Sequence, residues 1–270
     1  MLKIEEPILV NQNGSGDKLY NYILLLILFL FALFGTVIWT ILFNRKQQHK
    51  KLNYWFVTYD RFFLGYTMVY YGMFKILPIQ FGEIAFWRLL QPYGDSSPMG
   101  LAWPFLGHSK GYNIFMGLSE FVGGVLLFHR KTKLTDSLIL IPVITNIVSI
   151  NFFYDIPVKL FSVELLLMAV ILVLPDFKRI LNLIIFNKTF ESIQYQPPFK
   201  LKKWTLTAKA IKWSFELLIL FDTISKTTNI YSERKEKSSF YGLYEVTNFT
   251  KNRDTILPIL TEKKMEVSLF

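Results

Sequence analysis

The chain has 270 residues, no cysteine and a formal net charge of +10. Hydrophobic residues make up 52%, phenylalanine alone takes 26 positions, and mean hydropathy is +0.32. This composition excludes intrinsic disorder, which needs few aromatics and low hydrophobicity. The missing cysteine excludes a disulfide scaffold, a thiolate metal site and a cysteine nucleophile. The positive charge is compatible with nucleic acid, an anionic membrane surface or neither, and the positions of the charges decide.

Ile23–Phe43 is a run of uncharged, largely apolar residues. At 1.5 Å per residue a helix of this length crosses a hydrocarbon layer about 30 Å thick. A signal peptide fits poorly. Glu5, Glu6 and Asp17 precede the run, basic residues follow it, and no small-residue cleavage site is visible. The run predicts a retained transmembrane helix. Four further hydrophobic segments follow: Tyr54–Leu77, Tyr112–Phe128, Leu134–Phe153 and Val158–Leu174. A sixth, Leu206–Ile224, carries Lys209, Lys212, Glu216 and Asp222. It reads either as a span or as an amphipathic helix in the membrane interface.

The connections alternate in charge. The first holds Arg45, Lys46, Lys50 and Lys51, the third Arg130, Lys131 and Lys133, and the fifth Lys178, Arg179, Lys188, Lys200, Lys202 and Lys203. The N-terminal arm and the second and fourth connections hold only Lys3, Lys18, Arg88, Lys110 and Lys159. Under the positive-inside rule this places the basic loops inside and the N-terminus outside. Trp87, Tyr93, Trp103 and Tyr112 gather near the long second connection, where aromatic anchors belong. The charge therefore encodes orientation, and no nucleic-acid partner is needed.

Ionisable residues inside a bilayer are costly and each needs a reason. On the second segment, Arg61, Gly65, Met68, Gly72 and Lys75 fall on one helical stripe about 80° wide. On the third, Asn113, Gly117, Glu120 and Gly124 share a stripe, and on the fourth Pro142, Asn146 and Ser149 align. Glycines let two backbones approach closely. These stripes are expected to face one another. Glu120 needs a partner, and depth along the helices favours Arg61. Two uses are open for these residues: interhelical glue that fixes register, or the wall of a functional cavity. A second polar group, Lys75, Asp155, Lys159 and Glu164, is expected at the outer helix ends, with Asp95, His108 and Lys110 in the adjoining loop.

The string Arg61-Phe-Phe-Leu-Gly65 … Gly72-Met-Phe-Lys75, followed by Gly117-Leu-Ser-Glu120-Phe-Val-Gly123-Gly124, resembles the DoxX-like family of bacterial integral membrane proteins. The loop Tyr93–Trp103 and the stretch Asn151–Lys159 resemble a longer subgroup of it. The resemblance covers about Tyr54 to Asn187. It implies a four-helix membrane core in the bacterial cytoplasmic membrane, matching the second to fifth segments; the extra N-terminal helix, the sixth segment and the polar tail depart from the family pattern, so that the whole reads as an all-α membrane protein, a polytopic helix bundle with five to six transmembrane helices. It also implies a membrane subunit associated with redox or quinone-linked electron transfer, with a further membrane or periplasmic subunit as partner. The family supplies no agreed catalytic residues, so only the motif positions Arg61, Gly65, Gly72, Lys75, Gly117, Glu120 and Gly124 carry over. The core is also distantly similar to the membrane part of vitamin-K-dependent carboxylases, without a matching catalytic motif.

The expected organisation is an outer N-terminal arm (1–20), an extra transmembrane helix (21–43), the four-helix core (54–187), a basic inner loop with a sixth helix (188–226) and a polar tail (227–270). Tyr241–Asn252 and Lys264–Phe270 alternate in strand fashion about an Asn252-Arg-Asp turn, which suggests a short β-like tail or part of a β domain. His49, His108 and His129 lack paired spacing, so no metal or haem site is expected from them. No nucleotide, zinc-protease or serine-hydrolase motif is present. A non-enzymatic scaffold and a small-molecule transporter stand beside the quinone-linked reading.

Overall fold

A computed structural model of the protein describes residues 16–42, 46–186, 188, 202–244, 250–251 and 254–255. Its long helices are α1 (Leu19–Leu42), α2 (Lys46–Ile76), α5 (Lys110–Leu127), α6 (Lys133–Phe153), α7 (Lys159–Val173) and α9 (Lys202–Lys235). Two short helices, α3 (Phe86–Leu90) and α4 (Pro98–His108), form the connection after α2, and α8 (Phe177–Ile184) follows α7. By length and composition α1, α6 and the stretch Lys159–Leu183 can each cross a membrane.

Helices α2, α5, α6 and α7 close a ring: α2 packs on α5, α5 on α6, α6 on α7 and α7 on α2. Its apolar centre includes Leu64 and Met68 of α2, Leu127 of α5, Leu140 and Ile144 of α6, and Leu165, Ala169 and Leu172 of α7. One end of the ring is cross-linked by Asp176, which accepts from Lys133 at 3.1 Å and Arg179 at 2.9 Å.

The closest seam is α2 against α5, which run antiparallel. Gly65 lies on Gly124 and Gly72 on Gly117, seven residues apart on each helix, so one face meets its match twice. A Cβ on Gly117 would stand 2.6 Å from the Gly72 carbonyl oxygen, and one on Gly124 would stand 2.7 Å from that of Gly65. Those obstacles are backbone atoms, which no rotamer change can move.

Helix α9 runs alongside α2 over the whole length of the ring. Near its start Trp213 meets His129 and Phe215 meets Phe62, while at its end Arg234 donates to the Ile79 carbonyl at 2.6 Å. Two of its charges are neutralised one turn away, Glu216 by Lys212 at 3.2 Å and Asp222 by Lys226 at 2.8 Å. The helix is longer than the sequence suggested: it continues to Lys235, because Tyr231 and Arg234 still meet the loop after α2. Likewise α2 begins at Lys46, so the basic connection before it is helical.

Helix α1 is apolar on every side and buries none of its residues. It is tied at its start instead. Gly16 donates its amide to the Pro157 carbonyl at 2.8 Å, and the Asp17 carboxylate accepts from the amides of Lys159 at 2.8 Å and Leu160 at 3.0 Å. Val158 at the N-cap of α7 has no side-chain acceptor to offer, so Asp17 caps that helix from 142 residues away in sequence. In the tail, Thr250–Lys251 pairs antiparallel with Asp254–Thr255, but Tyr241–Tyr244, expected as the start of a strand, is not one. Lys264–Phe270 lies outside the described residues.

Gly117→Ala is expected to destabilise the protein by about 1–3 kcal/mol, since a rigid backbone must shift. Gly35→Ala in α1, where a Cβ meets nothing within 4 Å, is expected to leave stability unchanged. Thermal unfolding of the two variants in the same detergent checks the contrast.

Candidate functional site

The polar positions read from the sequence on α2 and α5 lie in the seam. Arg61, Lys75, Asn113 and Glu120 are all at most 5% exposed. Glu120 is paired, but with Lys75 rather than Arg61: Lys75 Nζ donates to Glu120 Oε2 at 2.7 Å. The reason lies in side-chain direction. A helical side chain tilts toward its own N-terminus. Lys75 therefore reaches back along α2 past Gly72 to Glu120. Arg61 leans the same way along α2, which carries it away from Glu120, and its Nε and Nη2 donate to the Leu127 carbonyl at 3.0 and 2.7 Å. Leu127 ends α5, so Arg61 satisfies a carbonyl that has no helical partner and sets a positive charge at the negative end of the helix dipole. Asn113 donates to the Phe81 carbonyl at 3.2 Å and ties the start of α5 to the loop after α2.

The stripe on α6 behaves differently. Pro142 and Asn146 are exposed, and the Asn146 side chain meets no hydrogen-bond partner among the described residues. Both line a cavity of about 540 Å³ enclosed by α2, α4, α5, α6, the α6–α7 turn and α7. The wall is mostly apolar, with Met68, Phe81, Trp103, Met116, Phe161 and Leu165 among its residues, and the Lys75–Glu120 pair stands in it together with Tyr71 and Ser119. Tyr71 holds its ring 5.9 Å from Lys75 Nζ, an added attraction for the ammonium. A concave apolar pocket with a few convergent polar groups is the usual form of a small-molecule site.

The outer group expected from sequence does not come together as one. Lys75 turns inward to Glu120. Asp155, in the turn between α6 and α7, pairs with Lys159 at the start of α7 at 2.5 Å. Glu164 is half-buried and has no ion-pair partner among the described residues. His108 and Lys110 line a separate groove of about 900 Å³ between α3 and the end of α9, while Asp95 is exposed in the loop. Among the described residues no three His, Asp or Glu side chains gather as a metal would require.

Several site residues carried no usable signal in the sequence. Gln80, Trp103 and the α6–α7 turn join the cavity only through the path of the loops. Asp17 holds that turn in place, and nothing near it in sequence pointed to a helix it caps.

The groove beside α9 is closed by Lys237, which donates to Glu83 at 2.8 Å. The hydrogen bond that Lys237 donates holds the Glu83 carboxyl below the ordinary glutamate value, and the same bond holds the Lys237 ammonium above the ordinary lysine value. A lowered carboxylate contributes above its unfolded pKa and ceases to contribute as pH falls through the folded one. A raised ammonium contributes below its unfolded pKa and ceases as pH rises through the folded one. The tether is therefore expected to hold at neutral pH and to loosen at both extremes. A nitroxide on Phe240→Cys should gain mobility there and not between.

The ion pair yields a second prediction. Lys75→Met leaves Glu120 buried and unpaired and is expected to cost about 3–5 kcal/mol. Lys75→Met with Glu120→Leu removes both charges and should be less destabilising than either single change. Additive losses in a double-mutant cycle would contradict a direct pair.

No family model matches the chain, and no solved structure matches it. Over 126 residues the chain is 32% identical to the uncharacterized protein YwoB of Bacillus subtilis (strain 168), an alignment that takes in 46% of this chain and 78% of the relative. The chain belongs to the same family as YwoB.

Proposed function

We propose that the chain is a multi-pass membrane protein of the DoxX-like type that holds a lipid-soluble small molecule of the quinone class in the cavity beside Lys75 and Glu120. In this reading the ring of α2, α5, α6 and α7 is the membrane core, and α1 and α9 cross beside it. The protein sits in the cytoplasmic membrane with its N-terminal arm outside. The observation that carries the proposal is the cavity itself: an apolar chamber of about 540 Å³ with a buried ammonium–carboxylate pair in its wall.

A quinone offers two carbonyl acceptors on an apolar ring. The chain offers matching donors in the Lys75 ammonium, the Tyr71 hydroxyl and the Asn146 amide. The apolar wall excludes water, which strengthens hydrogen bonds made inside it. Glu120 keeps Lys75 oriented, so the ammonium is presented to the chamber in one place. A bound quinone would supply two-electron, two-proton redox chemistry. The electron donor and any partner subunit belong to the same proposal. The arrangement of charge supports the orientation. The basic residues concentrate on the first, third and fifth connections, as the positive-inside rule asks, whereas Asp155 and Glu83 at the opposite end of the ring are each paired with a lysine.

The test is direct. Protein purified in mild detergent is titrated with decylubiquinone. Saturable binding is expected, and Lys75→Met/Glu120→Leu should weaken it by about tenfold or more, as loss of a charge-assisted hydrogen bond implies. No saturable binding, or binding unchanged in that variant, would defeat the quinone reading.

A further inference from the structure

The cavity wall is not uniformly covered. Of the residues that line it, four are exposed: Tyr112 and Phe115 on α5, and Pro142 and Asn146 on α6. All the others are buried or half-buried. The opening is therefore a slit between α5 and α6, and none of the exposed lining residues belongs to a loop. The residues on α6 also fix its depth. That helix runs from Lys133 to Phe153, and Pro142 and Asn146 flank its centre. It is one of the helices long and apolar enough to cross a membrane. In the proposed reading an opening that starts at its centre and reaches to Tyr112 near the start of α5 lies against lipid.

Asn146 is the anomaly that points to a ligand. A polar side chain in hydrocarbon is costly without a partner. Hydroxyl-bearing residues near it on α6 solve this on their own helix: Thr145 donates to the Ile141 carbonyl at 2.7 Å. Ser149 likewise donates to the Thr145 carbonyl at 2.8 Å. An asparagine amide has both a donor and an acceptor and satisfies neither here. Pro142 contributes from one turn earlier. It lacks an amide, so the Leu138 carbonyl beside the slit is denied its i+4 helical donor.

We infer that the cavity opens sideways into the bilayer between α5 and α6, that its occupant enters from the lipid phase, and that Asn146 is the group that hydrogen-bonds its polar end at the entrance. The occupant is accordingly a neutral, membrane-partitioned molecule with one hydrogen-bonding head, since a charged one would not reach the slit through hydrocarbon. This rests on the cavity's being a binding site, and it extends that reading from what is held to how it arrives.

Because the chain has no cysteine, one can be placed at will. Ser119→Cys, at the inner end of the slit, carries a nitroxide in protein reconstituted into phosphatidylcholine vesicles. Phe115→Cys serves instead if that variant does not fold. The label's collisions with oxygen, which partitions into lipid, are compared with those with a water-soluble nickel chelate. The expected result is high oxygen access and little nickel access. Decylubiquinone or decanol should lower the oxygen access. In the Asn146→Leu background about tenfold more of the probe should be needed for the same effect. Nickel access to the label would overturn the lateral entrance, and so would failure of both probes to protect it. Protection by decanol but not by decylubiquinone would uphold the entrance and defeat the quinone reading alone.

Discussion

Two pairs of glycines set the distance between α2 and α5, and the rest of the site depends on that distance. With Gly65 against Gly124 and Gly72 against Gly117, the two backbones touch, and a single methyl group would meet carbonyl oxygens at less than 3 Å. At this separation a lysine on one helix reaches a glutamate on the other. Lys75 and Glu120 are buried because the seam is tight, and they are tolerable there because each is the other's partner. The same closeness gives Arg61 its role, as the α5 C-terminus comes within reach of its guanidinium.

The tight seam has a loose counterpart. Four helices closed in a ring cannot all pack as closely as α2 and α5 unless every seam carries small residues. Between α5 and α6 the small residue is Gly123, which receives the Leu140 side chain. From the middle of α6 toward the α6–α7 turn that pairing gives way to Tyr112, Phe115, Pro142 and Asn146, and the cavity opens there. The N-terminal arm then fixes the far wall, since the turn containing Pro157 and Val158 is bonded to Gly16 and Asp17. In the proposed reading these features form one device: a chamber with a rigid back, a clamped outer turn and an open side facing lipid.

Much of this was legible in the sequence, for identifiable reasons. Apolar runs of sufficient length announce helices whatever they pack on, and glycines spaced by seven on a helix announce a close approach. The stripes on α2 and α5 therefore lie in the seam between those helices, as their glycines announced. The sequence misled on which cation meets Glu120, because depth ignores the direction in which helical side chains lean. The stripe on α6 was expected to pack inward with the others. It is exposed instead, because it borders the opening of the cavity. The cap that Asp17 supplies to α7 had no local signature, since capping residues are sought next to the helix they cap. The full length of α9 was obscured by its charges, which looked unfit for a packed helix until Lys212 and Lys226 were seen to neutralise their neighbours. The DoxX-like motifs fall on the glycine seam, so a resemblance built on them speaks first of packing, and of redox chemistry only by extension.

The central claim is that the glycine seam presents an ion pair, Lys75 to Glu120, to the cavity. Infrared difference spectroscopy of the membrane-reconstituted protein against its Glu120→Gln variant tests it most directly, because carboxylate and carboxylic acid absorb in separate bands. The account predicts a carboxylate band for Glu120 at neutral pH that is lost on substitution and is replaced by a carboxylic-acid carbonyl band in Lys75→Met. A carboxylic-acid band in the unmodified protein, unaffected by Lys75→Met, would contradict it.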